Sequence, residues 1–158
     1  MAVQVGDDPA SKLYTDMQAR DCESVGIAYE LKCLPADIDQ AGLEAEIGKL
    51  NADPAVSGLI LQMPLPDRLN APAAQMAISP AKDVEGIHPE NLGRLFGGTA
   101  HVAPCTPMAA IELLTRTCQD LGGKEVVVVG RSDIVGKPMA ALLMLAVELA
   151  SSRGRRVE

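Results

Sequence analysis

Apolar positions along the chain follow two alternating rhythms. Short β-prone runs stand at 2–5, 27–34, 56–61 and 126–129, and helical spacings fill much of the sequence between them. The run at 2–5 ends at Gly6-Asp7-Asp8, where Asp8 can cap a helix and Pro9 suits its first position. That helix is expected to run to about Ser24, with Gly26 as its stop. Residues 27–34 alternate apolar and polar side chains, as a half-buried strand does. Asp39 can cap a second helix carrying Leu43, Ile47 and Leu50 at i, i+4 and i+7. The run at 56–61, closed by Pro64, predicts a buried strand, and 70–78 predicts a short helix. The segment 79–91 holds Pro80, Gly86 and Pro89 and predicts an ordered loop. Ile111, Leu114, Cys118 and Leu121 mark a helix closed by Gly122-Gly123, and the four valines at 126–129 predict a central parallel strand. A turn and a helix from about Gly136 follow.

Strand and helix alternating in this way predict an α/β fold with parallel strands and right-handed crossovers. The boundary is expected near the helix at 107–121, giving a first domain over 1–108 and the beginning of a second over 109–158. One strand and one helix cannot build a nucleotide-binding sheet, and the first strand opens the chain with nothing before it. The pattern therefore reads as cut at both ends.

Composition narrows the function classes. The chain has 158 residues, of which 47% are hydrophobic and 22% charged, as in globular proteins. Aromatics are limited to Tyr14, Tyr29 and Phe96, so the core must be aliphatic. Fourteen Lys and Arg against 21 Asp and Glu leave a net charge of −7, which gives no general attraction to nucleic acid or an anionic membrane. The longest apolar run, 139–147, is well short of the roughly 20 residues of a spanning helix. No signal peptide is visible at residues 1–8, and the expected location is the cytoplasm. Cysteines 22, 33, 105 and 118 form no CxxC pair, so neither a metal site nor a disulfide is expected.

Several polar residues stand where chemistry can occur. Tyr14 and Gln18 are four apart and share one helix face, so the phenol can orient a reacting group or simply lie on the surface. Cys22 continues that row and reads as a small buried thiol. Gln62 ends the third strand, and open α/β sheets bind ligands outside the carboxyl ends of their strands; a structural amide is the alternative. Residues 82–88 gather Lys82, Asp83, Glu85 and His88 on a turn-rich loop that suits ligand binding or plain solvation. His88 by itself reads as structural. Gly130-Arg131-Ser132 follows the valine run and precedes a helix, a place where backbone can approach a phosphate. Ser132 stands where the second glycine of G-x-G-x-x-G would be. Arg131 with a hydroxyl suits a ribose 2′-phosphate and favours NADP over NAD, against an ordinary corner with an exposed Arg.

Together these segments resemble the bifunctional methylenetetrahydrofolate dehydrogenase/methenyltetrahydrofolate cyclohydrolase family. The matching stretches are VGDDPASKLY (5–14), the 22–27 tail of that helix, GLILQMPLP (58–66), PAKDVEGIHPENLGRL (80–95), PCTP (104–107) and VVVGRSDIVGKPMA (127–140). They fall in matching order and spacing over nearly all of 1–145. The resemblance implies a parallel-sheet folate-binding domain followed by the start of a Rossmann NADP-binding domain, substrate between the two, and a homodimer in the full-length form. It implies that Tyr14 stacks near the pterin, Gln62 tunes the active-site base and Asp83 grips the pterin ring. Pro104 would frame the cleft floor, while Gly130, Arg131 and Ser132 would hold the cofactor phosphate.

Three departures qualify that implication. The family's catalytic Lys falls four residues after the Tyr, where this chain has Gln18. A carboxamide cannot ionise and cannot relay a proton as a tuned amine does, so the cyclohydrolase step is expected to be weak. Hydride transfer can survive, since it draws largely on positioning. The PCTP segment continues as Met108-Ala109, one methyl more than the family's glycine. Family members are also much longer at both ends, so the 158 residues alone are expected to bind NADP poorly. Two alternatives stay open: a non-catalytic folate-binding remnant of the same fold, and a dehydrogenase that leaves hydrolysis to a separate protein.

Overall fold

A computed structural model describes residues 1–7, 9–118, 121 and 124–154. Packing divides the chain into two compact units, Met1–Val84 and Glu85–Glu158. The expected boundary at 108 lies later than this division because the helix Pro89–Phe96 packs with the last helix of the chain.

The first unit contains a three-stranded parallel sheet of β1 (Ala2–Val5), β2 (Leu31–Leu34) and β3 (Ile60–Leu61), in the spatial order β2-β1-β3. Helix α1 (Pro9–Ser24) joins β1 to β2, and α2 (Gln40–Ala52) joins β2 to β3. Gly26 takes φ +77°, and the Ile27 N–H turns back to the Cys22 carbonyl at 2.8 Å, which stops α1 where the sequence predicts. Its predicted cap, Asp8, lies outside the described residues. Asp39 caps α2 by accepting from Gly42 N at 2.7 Å, and Asn70 caps the short α3 (Ala71–Met76) through Ala73 N at 3.0 Å.

β1 is central and all four of its residues are buried. Val3 and Val5 join Leu43, Ile47 and Leu50 of α2, Ala74 of α3, and Leu59, Leu61 and Ile78 in one aliphatic core. Asn51 stitches α2 to the end of α3, donating to Ala77 O at 2.7 Å and accepting from Ser79 N at 2.9 Å. Glu46 of α2 meets Lys32 of β2 at 2.7 Å and also pairs with Lys49. These two ammonium groups, through hydrogen bonds first and charge second, hold its carboxyl down to about 2.

β2 and β3 are shorter than predicted. β1 pairs with Leu31–Leu34 and with Ile60–Leu61, and among the described residues no strand lies beside 27–30 or 56–58, which stay irregular. Strand hydrogen bonds require a neighbour, whatever the local propensity.

The second unit is built on α4 (Pro89–Phe96), α5 (Cys105–Cys118) and α6 (Gly136–Gly154). Helix α4 was not predicted, because Pro89 reads as a loop residue until it is seen at the first helical turn. His88 is its cap, with Nδ1 accepting from Glu90 N at 3.1 Å. The turn predicted at Gly122-Gly123 lies outside the described residues. The central strand predicted at 126–129 is a correction: the run forms no strand among the described residues, with Val127 86% and Val129 97% exposed. Among the described residues of this unit no other strand lies beside it, so four valines have propensity without a ladder.

Candidate active site

The strand order creates the site. From β1 the chain crosses to β2 on one side, and from β2 it returns past β1 to β3 on the other. The carboxyl ends of β1 and β3 therefore flank a topological switch point, the place where open α/β sheets leave a crevice. Gln62 is the first residue beyond β3 and donates its backbone N–H to Val3 O at 2.8 Å. The register, with Ala2 opposite Ile60 and Val3 opposite Leu61, sets Gln62 beside Gln4. Strand alternation turns both away from the aliphatic core.

Helix α1 supplies the opposing side chain. Gln18 Oε1 accepts from Gln62 Nε2 at 2.6 Å, joining residues 44 apart in sequence. Tyr29 Oη donates to the same oxygen at 3.2 Å. Burial raises the Tyr29 phenol above its ordinary value; the Cys22 thiol adds to this, a hydrogen bond with Gln62 opposes it, and Asp16 and Cys33 add smaller increments. Its hydroxyl is thus a donor throughout the neutral range. Gln62 is only 5% exposed, so its amide is committed to this cluster. Gln4 is equally buried; its Nε2 donates to Gly6 O at 3.1 Å, while Oε1 has no partner among the described residues.

Tyr29 was missed in the sequence reading, where it counted only as one aromatic in an alternating run. Helix geometry offered a signal. Gln18 lies six residues before the end of α1, about 9 Å back along its axis, and five residues of returning chain can cover that distance to Tyr29. Tyr14 stands one turn before Gln18 and is 57% exposed, open to a ligand.

Asp83 enters at the far side of β3. It forms a parallel bridge with Leu59, whose N–H donates to Lys82 O at 2.7 Å, and it is 5% exposed. Lys82 is structural: its Nζ donates to Leu50 O at 2.9 Å and Asp53 O at 2.6 Å, closing the carboxyl end of α2.

The remaining candidates belong to the second unit. Pro104 and Pro107 are fully buried. Gly86, at φ +68°, passes so close to this segment that an added Cβ would lie 2.7 Å from the Ala103 carbonyl carbon. The Gly130-Arg131-Ser132 corner leads into α6. A Cβ on Gly136 would collide with the Gly130 carbonyl, so the corner closes only around glycine. Ser132 Oγ accepts from Val135 N at 3.1 Å and Gly136 N at 3.4 Å, leaving its own proton to donate. Arg131 is exposed beside it. A close glycine contact, a hydroxyl donor, a guanidinium and a helix amino end fit the phosphate of a dinucleotide.

Among the described residues, no three His, Cys, Asp or Glu side chains gather into a group that could hold a metal ion. Cys22 and Cys33 are free thiols. No helix in this range is long and apolar enough to cross a membrane.

The family model of the tetrahydrofolate dehydrogenase/cyclohydrolase catalytic domain matches residues 1–85. That of the corresponding NAD(P)-binding domain matches 104–155. Bifunctional protein FolD of Bradyrhizobium diazoefficiens is 46% identical over 156 residues, covering 97% of this chain and 53% of its own length. The crystal structure of the bifunctional FolD methylenetetrahydrofolate dehydrogenase/cyclohydrolase of Campylobacter jejuni superposes with a TM-score of 0.87 at 41% identity. It covers 92% of this chain and 52% of that one. The Trypanosoma brucei dehydrogenase-cyclohydrolase, complexed with NADP cofactor and inhibitor, gives 0.82 at 33% identity, covering 92% and 50%. The chain thus spans about half the length of the curated relatives it matches. On these matches, and on a catalytic-domain model that alone accounts for more than half of its residues, the chain belongs to the tetrahydrofolate dehydrogenase/cyclohydrolase family.

Proposed function

We propose that the chain carries the folate site and the first phosphate-binding turn of a cytoplasmic, homodimeric NADP-dependent 5,10-methylenetetrahydrofolate dehydrogenase. The observation that carries this reading is the direct Gln18–Gln62 contact at the switch point. Residues from α1 and the end of β3, which share no sequence proximity, form one polar surface there. Tyr14 lies on the exposed side of α1 where it can stack on a pterin ring, and Asp83 supplies a fixed carboxylate for the ring's N–H groups. NADP, when bound, supplies the hydride acceptor. Gly130, Arg131 and Ser132 would hold its phosphate, with Gly136 keeping the corner tight.

The chemistry expected of these side chains is orientation. Binding a folate in one pose contributes much of the barrier reduction for hydride transfer without an acid or a base. Hydrolysis of the methenyl product needs a proton to be moved, and neither carboxamide of the Gln18–Gln62 pair ionises. Cyclohydrolase activity is accordingly expected to be weak. Spectrophotometric reduction of NADP by 5,10-methylenetetrahydrofolate, set beside decay of the methenyl species, tests both statements. In the full-length protein the expected results are NADP reduction, slow hydrolysis, and at least about a 100-fold gain in hydrolysis for Gln18→Lys. Equal hydrolysis with and without the lysine would overturn the second statement, and absence of NADP reduction the first.

A further inference from the structure

Charge is shared unequally between the two units. Residues 1–84 hold six Lys and Arg against thirteen Asp and Glu, while residues 85–158 hold eight of each, so the whole net charge of −7 falls on the first unit. The six cations of that unit lie away from Gln18. Lys32 and Lys49 pair with Glu46, Lys82 closes the end of α2, and Arg68 donates to Ala36 O and Ile38 O. Lys12 and Arg20 of α1 are exposed, and neither stands three or four residues from Gln18. The Tyr29 phenol, 3.2 Å from Gln18 Oε1, reports the local field. Beyond burial, the largest cause of its raised pKa, each ionisable neighbour acting on it (Cys22, Asp16 and Cys33) makes it harder to ionise, and no cation opposes them. Turned either way, the Gln18 and Gln62 carboxamides bring no charge to the switch point.

Hydride transfer changes the charge of a folate head. A C–H bond of the methylene bridge breaks, both its electrons leave with the hydrogen for the ring of the oxidised nicotinamide, and the N–C–N bridge becomes an amidinium bearing one positive charge. We propose that Gln18 is a specificity-determining residue: a neutral side chain at this position lets the acidic unit favour the cationic methenyl head over a neutral one, and so hold the product. This rests on the folate reading above. A guanidinium or ammonium at position 18 would oppose that charge. Two unit charges about 6 Å apart alter a binding constant roughly 3-fold in bulk water and roughly 100-fold at an effective dielectric of about 20. The anionic tail is common to both heads, so its repulsion by the acidic unit cancels in the comparison.

Two probes with the same tail separate charge from packing: 5,10-methenyltetrahydrofolate, with a cationic head, and 5-formyltetrahydrofolate, with a neutral one. Their dissociation constants are measured in the full-length protein in mildly acidic buffer, where the methenyl form persists. Gln18→Arg adds a charge that is permanent and relays no proton, so the probe is not consumed. Gln18→Met removes the same hydrogen bonds and adds no charge. The preference for the methenyl form is expected to fall about 3- to 100-fold in Gln18→Arg and to change less than about 2-fold in Gln18→Met. An unchanged preference in Gln18→Arg, or an equal fall in both variants, would overturn the proposal while the folate reading stands. Failure of the unsubstituted protein to bind either probe would remove the folate reading and the proposal with it.

Discussion

The two units use similar local sequence and reach different ends. In Met1–Val84 a four-residue run of modest hydrophobicity, AVQV, becomes the buried centre of a sheet. In Glu85–Glu158 a stronger run, VVVV, stays unpaired with two of its valines almost wholly exposed. β-Propensity is higher in the second, yet the strand forms in the first, where β2 and β3 lie on either side. A strand is a property of its neighbours as much as of its residues.

Substitutions can press on that contrast. The largest effect is expected inside the first unit: Leu43→Ala, at a fully buried core position, should destabilise it by about 2–5 kcal/mol in denaturant titration. A loss below 0.5 kcal/mol would mean that the sheet and α2 are not packed as described. Next comes Gly136→Ala at the corner after the valines, where the new methyl meets the Gly130 carbonyl. A cost of about 1–3 kcal/mol in the same titration is expected there.

A pH titration sharpens the comparison from the other side. Glu46 has its folded pKa depressed to about 2 from an ordinary 4.5 by Lys32 and Lys49. Its contribution is therefore complete above about pH 4.5 and is lost progressively as pH falls toward 2. Unfolding followed across that window should show a slope that Glu46→Gln reduces; an identical slope in the variant counts against the ion triad. The smallest effect is expected at Val127→Lys. With no partner strand to lose, stability should change by less than about 0.5 kcal/mol, while light scattering should report less self-association through the exposed run. A large loss of stability would show that the run is paired after all.

Sequence periodicity located β1, α1 and α2 because each of these is set by contacts within the first unit, whereas the Gln18–Gln62 contact was not read from the sequence. The limits of β2 and β3 were not legible, since they follow from strand pairing rather than from anything in 27–30 or 56–58. Helix α4 was hidden by Pro89, whose meaning changes with the presence of a capping His88. The roles of Gln62 and Asp83 came from resemblance and remain proposals. Tyr29 was invisible to motif reading because its importance lies in a hydrogen bond across a helix-to-strand return. Gln4 is buried because β1 is covered on both faces.

The Lys82 ammonium closes the last turn of α2, and the Lys82 carbonyl is claimed by Leu59. Asp83 is therefore held on a segment anchored from two directions before any ligand arrives. On the proposed folate reading, an arriving headgroup would meet a carboxylate already in place and lose no affinity to arranging it. The helix that braces the aliphatic core thus also sets the stiffness of the edge that carries Asp83, and on that reading loosening Lys82 should blunt recognition without touching a group proposed to contact the ligand.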